Sequence, residues 1–171
     1  MASDIFLVKK AQKGSKEAFV QLIQGYERIL YNTAYRFLRN EQDVADVLQE
    51  TILTAYQKIN QLKQPRYFNT WLCRILINQC KQLLNTEAYA DIEDYQISVD
   101  TKETDKLVLD ELLNNLSSIY RIPLILYYYN GFSVKEISEI LAEPLGTIKS
   151  RLARGRALLE KEYTHSEGGV M

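Results

Sequence analysis

Helical periodicity runs through almost the whole sequence, and this feature restricts the fold more than any other. Apolar residues recur every three or four positions over long stretches, whereas the alternation typical of β-strands is missing almost everywhere. The 171 residues include only seven Gly and three Pro, too few for the turns of a β-sandwich or barrel. The sequence therefore predicts an all-α fold.

One acidic, polar stretch interrupts the periodicity. Between positions 87 and 105 there are seven acids against the single base Lys102, and "SVDTKETD" offers no apolar stripe. We expect a flexible acidic linker over 87–105, either a plain solvated spacer or a segment with a role of its own. It would join two small helical domains, at 1–86 and 106–165, with a tail at 166–171.

Composition and cysteine spacing exclude several classes of protein. The net charge of −1 does not exclude nucleic acid, because the bases are concentrated in segments. No apolar run approaches the roughly 18 residues of a membrane span, and the N-terminus lacks the order of a secretion signal. Cys73 and Cys80 would lie about 10 Å apart on one helix, too far for a disulfide, and share a core stripe with Ile77. We expect no metal, no cofactor, no enzymatic site and a reducing, cytoplasmic compartment.

The segment "FSVKEISEILAEPLGTIKSRLARGRALLEK" (132–161) contains the signals of two helices. Ser133 and Glu136 form a capping box, which predicts a helix from Val134. "AEP" breaks that pattern, and a second helix with one apolar face follows. The residues expected on this buried face are Leu145, Ile148, Leu152 and Leu159. Two short helices joined by a three-residue turn form a helix-turn-helix.

The opposite face of the second helix is small, polar and cationic. Ser150 and Arg154 project away from the apolar face, and Arg154 can donate two parallel hydrogen bonds to a guanine edge. A solvated surface helix is the alternative, but the cap, the short turn and the small residues together favour DNA. The side chains placed for phosphates are Thr147, Lys149, Arg151 and Arg156.

Two helices are predicted upstream of the linker. The first spans Asp43 to Ile59, with Asn40 as its cap, and its outer side carries Asp46, Gln49, Glu50 and Leu53. Acids around an exposed leucine are either ordinary surface or a protein-docking face.

The other is "YFNTWLCRILINQCKQLL", with Thr70, Arg74, Asn78 and Lys81 expected on its polar side and Trp71 at the border. From position 60 to 84 the chain has no acid and four bases, namely Lys63, Arg66, Arg74 and Lys81. Aromatic side chains among cations suit single-stranded DNA, although taken alone Phe68 and Trp71 would more often be core residues.

These segments together resemble a known family. "DVADVLQETILTAYQKI" and the following helix resemble the second domain of bacterial sigma factors of the extracytoplasmic-function (ECF) group, and positions 107–162 resemble their fourth domain. The resemblance implies a non-catalytic RNA polymerase subunit that directs promoter-specific initiation, in an envelope or extracellular stress response. Its implied partners are core RNA polymerase, duplex and melted promoter DNA, and a membrane-anchored anti-sigma protein, with no small-molecule substrate.

The resemblance also implies roles for individual positions. Those matching the family's polymerase-docking motif are Asp46, Gln49 and Glu50. The loop from Gln61 to Tyr67 matches the segment that captures a flipped base of the −10 element, and Asn78 matches a position that contacts that element. The positions matching readers of the −35 element are Lys149, Ser150 and Arg154, with Thr147 and Arg151 near phosphates.

Some residues depart from the family pattern, and two other interpretations remain. Ala142 and Glu143 replace the usual glycine-led turn, and Pro123 predicts that its helix begins close to it. One alternative is a helix-turn-helix regulator that is not a polymerase subunit. The other is a sigma mimic that titrates an anti-sigma protein.

Overall fold

The computed structural model describes residues 2–87 and 104–167, and these parts are helical without any strand. The all-α prediction is confirmed. The predicted linker therefore lies almost entirely outside the described residues, as do the last four residues of the predicted tail. The helices are α1 (Ala2–Gln12), α2 (Lys16–Leu38), α3 (Glu41–Lys58), α4 (Phe68–Glu87), α5 (Thr104–Asn115), α6 (Ser118–Tyr128), α7 (Val134–Leu141) and α8 (Leu145–Glu167), with 3₁₀ turns at Ile59–Gln61 and Pro65–Tyr67.

The chain forms two compact units. One comprises Met1–Asp91 and Glu139–Ala142, and the other comprises Ile92–Ser138 and Glu143–Met171. Within the first, α2 packs against α1, α3 and α4, and α3 also packs against α4. Apolar faces at helical spacing drive this packing, because each fully buried Leu, Ile or Phe side chain contributes about 1.5–3 kcal/mol. The largest fully buried side chains of α2 and α4 are Leu22, Phe68, Leu72, Leu76 and Ile77.

Side-chain caps set the starts of α2 and α3. Ser15 Oγ accepts the Ala18 N–H at 3.2 Å. Asn40 Oδ1 accepts the N–H groups of Gln42 and Asp43 at 2.9 and 3.1 Å, so the predicted Asn40 cap is confirmed. These bonds satisfy main-chain donors that lack partners within the first turn.

The second unit is built around the contact between α6 and α8, with α5 also against α8. Ile122 to Leu126 are buried along α6. The prediction that this helix begins close to Pro123 is wrong, because α6 begins at Ser118. The carbonyl of Ser117 accepts the N–H groups of Tyr120 and Arg121, both at 3.0 Å, which starts the helix one turn earlier. Burial of Pro123 and its neighbours offsets the main-chain bond that Pro cannot make.

Among the residues that the structure describes, two that are not glycine turn the chain through the left-handed region. Arg39 ends α2 with φ 55°, and its N–H donates to the Tyr35 carbonyl at 2.9 Å. Ala142 follows α7 with φ 54°. Glycine usually occupies such positions because a Cβ costs about 1–2 kcal/mol there.

Candidate nucleic-acid and protein interfaces

The capping box at the start of α7 is formed. Ser133 N–H donates to Glu136 Oε2 at 2.8 Å, and Glu136 N–H donates to Ser133 Oγ at 3.2 Å. The reciprocal bonds fix the entry of the chain into α7, which begins at Val134 as predicted.

The turn after α7 is held at Glu143. Glu143 N–H donates to the Ser138 carbonyl at 3.1 Å, and Ser138 Oγ donates to the Glu143 carbonyl at 2.5 Å. The Glu143 carboxylate binds Arg151 on α8, with Nη1 of Arg151 2.7 Å from Oε1 and 2.6 Å from Oε2. Glu143 therefore ties the turn to one helix through its backbone and to the next through its side chain.

The buried face of α8 differs from the predicted one at three positions, one of which is Leu159, only half-buried. Ile148 and Leu152 are buried as predicted, but Leu145 is 41% exposed, so its placement in the core was wrong. Leu145 is the first residue of α8, one turn ahead of the buried residues. Gly155 is buried instead, and a Cβ there would lie 2.8 Å from Leu124 Cδ1. The missing side chain lets α8 approach α6 closely.

The predicted DNA-contacting residues lie along the outer side of α8. Lys149, Ser150 and Arg154 are exposed, and Thr147 is half-buried. Arg156 is also exposed, and its Nη1 donates to the Tyr128 hydroxyl at 3.4 Å. Three cations and a hydroxyl on one accessible helix face match the chemistry of phosphates and base edges. Arg151 differs from them because its guanidinium is bound by Glu143.

The four residues predicted for protein docking are all exposed on α3. They lie opposite a face that buries Val44, Val47 and Thr51, and they are Asp46, Gln49, Glu50 and Leu53. Asp46 Oδ1 accepts a bond from Gln42 Nε2 at 3.3 Å.

Tyr56 extends the apolar part of this face, since it is as exposed as Leu53. Its ring also packs edge-on against Phe19, with centroids 5.1 Å apart. Tyr56 was not among the residues predicted for this face, although its position three residues after Leu53 was a usable signal.

The predicted −10 residues fall on the 59–67 loop and on α4. Exposed positions are Lys63, Arg66, Arg74 and Asn78, while Trp71 and Lys81 are half-buried. Arg66 Nε donates to Gln64 Oε1 at 3.1 Å, and its guanidinium lies 4.7 Å from the centre of the exposed Tyr67 ring. Thr70 is buried, so its assignment to the polar side was wrong. It lies in the first turn of α4, so the buried face of the helix is wider there than the later stripe indicates.

Gln12 fixes the 59–67 loop and was not found from the sequence. Its Nε2 donates to the carbonyls of Ile59 at 3.0 Å and of Leu62 at 2.8 Å. The partners are main-chain oxygens 47 and 50 residues away, so no side-chain pattern could have indicated the contact. Through this amide and its packing against both 3₁₀ turns, α1 holds the loop that carries Lys63 and Arg66.

The buried titratable groups belong to the core of the first unit. Burial raises the pKa of the Cys73 thiol to about 12, and the nearby Cys80 adds to the shift. Burial likewise raises the pKa of Cys80 to about 12. The prediction that both cysteines are core residues is confirmed. Within residues 2–87 and 104–167 there is no cluster of three metal-ligating side chains, and no helix there is long and apolar enough to cross a membrane.

Comparison with known sequences matches both segments. The family profile "Sigma-70 region 2" matches residues 22–88, and "Sigma-70, region 4" matches residues 106–159. The ECF RNA polymerase sigma factor SigW of Bacillus subtilis is 30% identical over 91% of this chain and 94% of its own length. The ECF RNA polymerase sigma-E factor of Haemophilus influenzae is 29% identical over 94% of this chain and 95% of its own length.

Solved structures show the same fold. CnrH, in complex with the cytosolic domain of CnrY, is 25% identical with a TM-score of 0.75, and the match covers 95% of this chain and 98% of CnrH. The sigma factor RpoE from Bartonella quintana, in complex with the anti-sigma factor NepR, is 25% identical with a TM-score of 0.70. That match covers 84% of this chain and 94% of RpoE.

Proposed function

This chain belongs to the ECF sigma factors of the sigma-70 family, and we propose that it docks on core RNA polymerase through α3 and contacts promoter DNA through α4 and α8. As an alternative sigma factor, it directs transcription from its own set of promoters as a non-catalytic subunit. The proposed division of labour places docking and the −10 element in domain 1–86 and the −35 element in domain 106–165. Its proposed place of action is the cytoplasm, where it would respond to envelope stress.

The exposed side of α3 carries the proposal for polymerase docking. Asp46, Gln49 and Glu50 extend into solvent from a helix whose other side is fixed in the core. Two carboxylates beside an exposed apolar side chain, Leu53, suit a partner that offers cations around an apolar patch. A helix held on its inner side presents these groups at little entropic cost on binding.

The 59–67 loop and α4 support a role at the −10 element. Lys63, Arg66, Arg74 and Lys81 supply positive charge, and Asn78 supplies an amide that can bond to base edges. Exposed Tyr67 and half-buried Trp71 offer ring faces on which unstacked bases can stack. This combination fits a melted strand better than a closed duplex.

The outer face of α8 supports a role at the −35 element. Arg154 and Ser150 occupy positions one turn apart on the exposed side, where a helix in the major groove points at base edges. Thr147, Lys149 and Arg156 would contact the phosphates on either side. The close packing of α8 on α6 at Gly155 gives this helix a rigid support.

An anti-sigma protein is the remaining proposed partner. The solved structure of RpoE contains the anti-sigma factor NepR, and CnrH is bound to the cytosolic domain of CnrY. We extend this to the present chain as a membrane-anchored inhibitor that covers its polymerase-binding or DNA-binding surfaces.

Charge reversal on α3 tests the proposal. The double variant Asp46→Lys, Glu50→Lys should weaken binding to core RNA polymerase about thirtyfold or more, the factor that corresponds to about 2 kcal/mol. Helical content measured by circular dichroism should stay unchanged, because both side chains are exposed.

A matched control separates docking from net charge. Glu27→Lys with Glu160→Lys makes the same net charge change at exposed acids on α2 and α8. Equal affinities of the two double variants for the core enzyme, measured by fluorescence titration, would refute the assignment of α3.

A further inference from the structure

Glu143 binds an arginine on the helix that we propose reads DNA. Both of its carboxylate oxygens lie within 2.7 Å of Arg151 Nη1, and the two side chains are only 26% and 25% exposed. A half-buried, charge-assisted contact of this kind is screened less by salt than an ion pair in open solvent. The neighbouring cations Lys149 and Arg154 have no ion pair with any residue that the structure describes.

The turn holds the Glu143 carboxylate in place. The Glu143 backbone makes two hydrogen bonds with Ser138. Glu143 N–H donates to the Ser138 carbonyl, and the Ser138 hydroxyl donates to the Glu143 carbonyl. A phosphate oxygen that approaches Arg151 must compete with the Glu143 carboxylate. This carboxylate is already in position, so it does not bear the entropic cost of association from solution. Arg151 is therefore the one cation on this part of α8 whose charge is neutralised within the protein.

We propose that Glu143 is a positioning residue that withholds Arg151 from the DNA backbone and thereby sets how strongly salt weakens promoter binding. The inference rests on the proposed −35 role of α8. A free Arg151 would add one phosphate contact and steepen the dependence of log Kobs on log salt by about 0.9. In the intact chain the phosphate contacts fall instead to Lys149, Arg156 and Thr147.

The test is a double-mutant cycle in the holoenzyme. Core RNA polymerase is combined with the full chain carrying Glu143→Gln, Arg151→Gln or both. The probe is a duplex promoter whose −35 element has been selected from a random library by the wild-type holoenzyme. Equilibrium binding is measured from about 50 to about 200 mM salt, and differences between variants cancel the contribution of the core enzyme.

Glu143→Gln keeps the side-chain shape but removes its charge, so it should free Arg151. The slope of log Kobs against log salt should steepen by about 0.9. Over this salt range the steeper slope adds a three- to fourfold loss of affinity. Arg151→Gln alone should leave the slope nearly unchanged, and in the double variant the steepening should disappear. Glu139→Gln, at an exposed acid on α7, is the matched control for removal of one negative charge and should not steepen the slope.

Two results would overturn the inference. One is a slope change for Glu143→Gln that persists without Arg151, since the effect would then be simple loss of a negative charge. The other is a fall of about 0.9 for Arg151→Gln alone, which would show that Arg151 already contacts a phosphate; this measurement does not depend on the folding of the Glu143 variant.

Failure of the proposed function gives a different result. If α8 does not read the −35 element, the library selection with wild-type holoenzyme returns no preferred upstream sequence. If the selection returns a preferred sequence but Glu143→Gln leaves the salt slope unaltered, the proposed role of Glu143 is rejected and the proposed role of α8 stands.

Discussion

Replacement of Gly155 by Ala should destabilise the second unit, although alanine is the better helix former. The new Cβ would lie 2.8 Å from Leu124 Cδ1, 3.3 Å from Leu124 Cγ and 3.4 Å from Tyr120 Cβ. Leu124 is only 1% exposed, so its side chain has little free space into which it can rotate. Overpacking of this kind costs about 1–3 kcal/mol, whereas the helix propensity of alanine returns about 1 kcal/mol. The expected net loss is about 1 kcal/mol.

Gly146→Ala is the matched control on the same helix. Nothing lies within 4 Å of the Cβ that it would add, so this variant should gain up to about 1 kcal/mol. In thermal unfolding followed by circular dichroism, the midpoint temperature of Gly155→Ala should be about 4–8 °C below that of the wild-type protein. This is the shift that 1 kcal/mol causes in a domain of this size.

Trp71 fluorescence, in contrast, reports the first unit, because Trp71 is the only tryptophan. Equal stabilisation by both alanines would refute the reasoning, since it would mean that Leu124 moves aside at no cost.

Four further predictions concern other parts of the chain. Ala142→Gly should stabilise the protein by up to about 1 kcal/mol in urea unfolding, because glycine adopts φ 54° without strain; a loss would mean that the Cβ makes compensating contacts. Thr51→Val should gain about 1 kcal/mol, because the buried Thr51 hydroxyl has no hydrogen-bond partner among the described residues, and a loss in the same assay would indicate a bound water. Cys73 and Cys80, with pKa values raised to about 12, should react with a thiol reagent at pH 8 only after denaturation, and prompt labelling of the native chain would contradict their burial. Arg154→Ala should relax base preference at one or two adjacent −35 pairs, worth about 1–3 kcal/mol, in a promoter-library selection; a uniform loss of affinity would reduce Arg154 to a backbone contact.

The sequence predicted those features that depend on neighbouring residues. The Asn40 cap, the Ser133–Glu136 capping box and the exposed face of α3 follow from helical spacing and local hydrogen bonding, and all are present. Periodicity also placed Ile148 and Leu152 in the core correctly. Such patterns need no knowledge of what packs against the helix.

Features that depend on distant partners were missed. Leu145 was assigned to the core because it continues the stripe of α8, but the stripe cannot show where the partner helix ends. Gly155 was overlooked because a glycine carries no apolar signal, although it marks a close approach of α6 to α8. The pair formed by Glu143 and Arg151 joins residues of a turn and a helix whose relative angle only the folded chain determines.

The bonds from Gln12 to the 59–67 loop have an evolutionary consequence. Its amide binds the carbonyl oxygens of Ile59 and Leu62, which are present whatever side chains those positions carry. The loop can therefore exchange exposed residues such as Lys63, Gln64 and Arg66 while its anchor remains. A lineage of such proteins can change the loop side chains that we propose contact promoter DNA without rebuilding the helices beneath them, and a relative's loop grafted between Leu62 and Phe68 would preserve the scaffold.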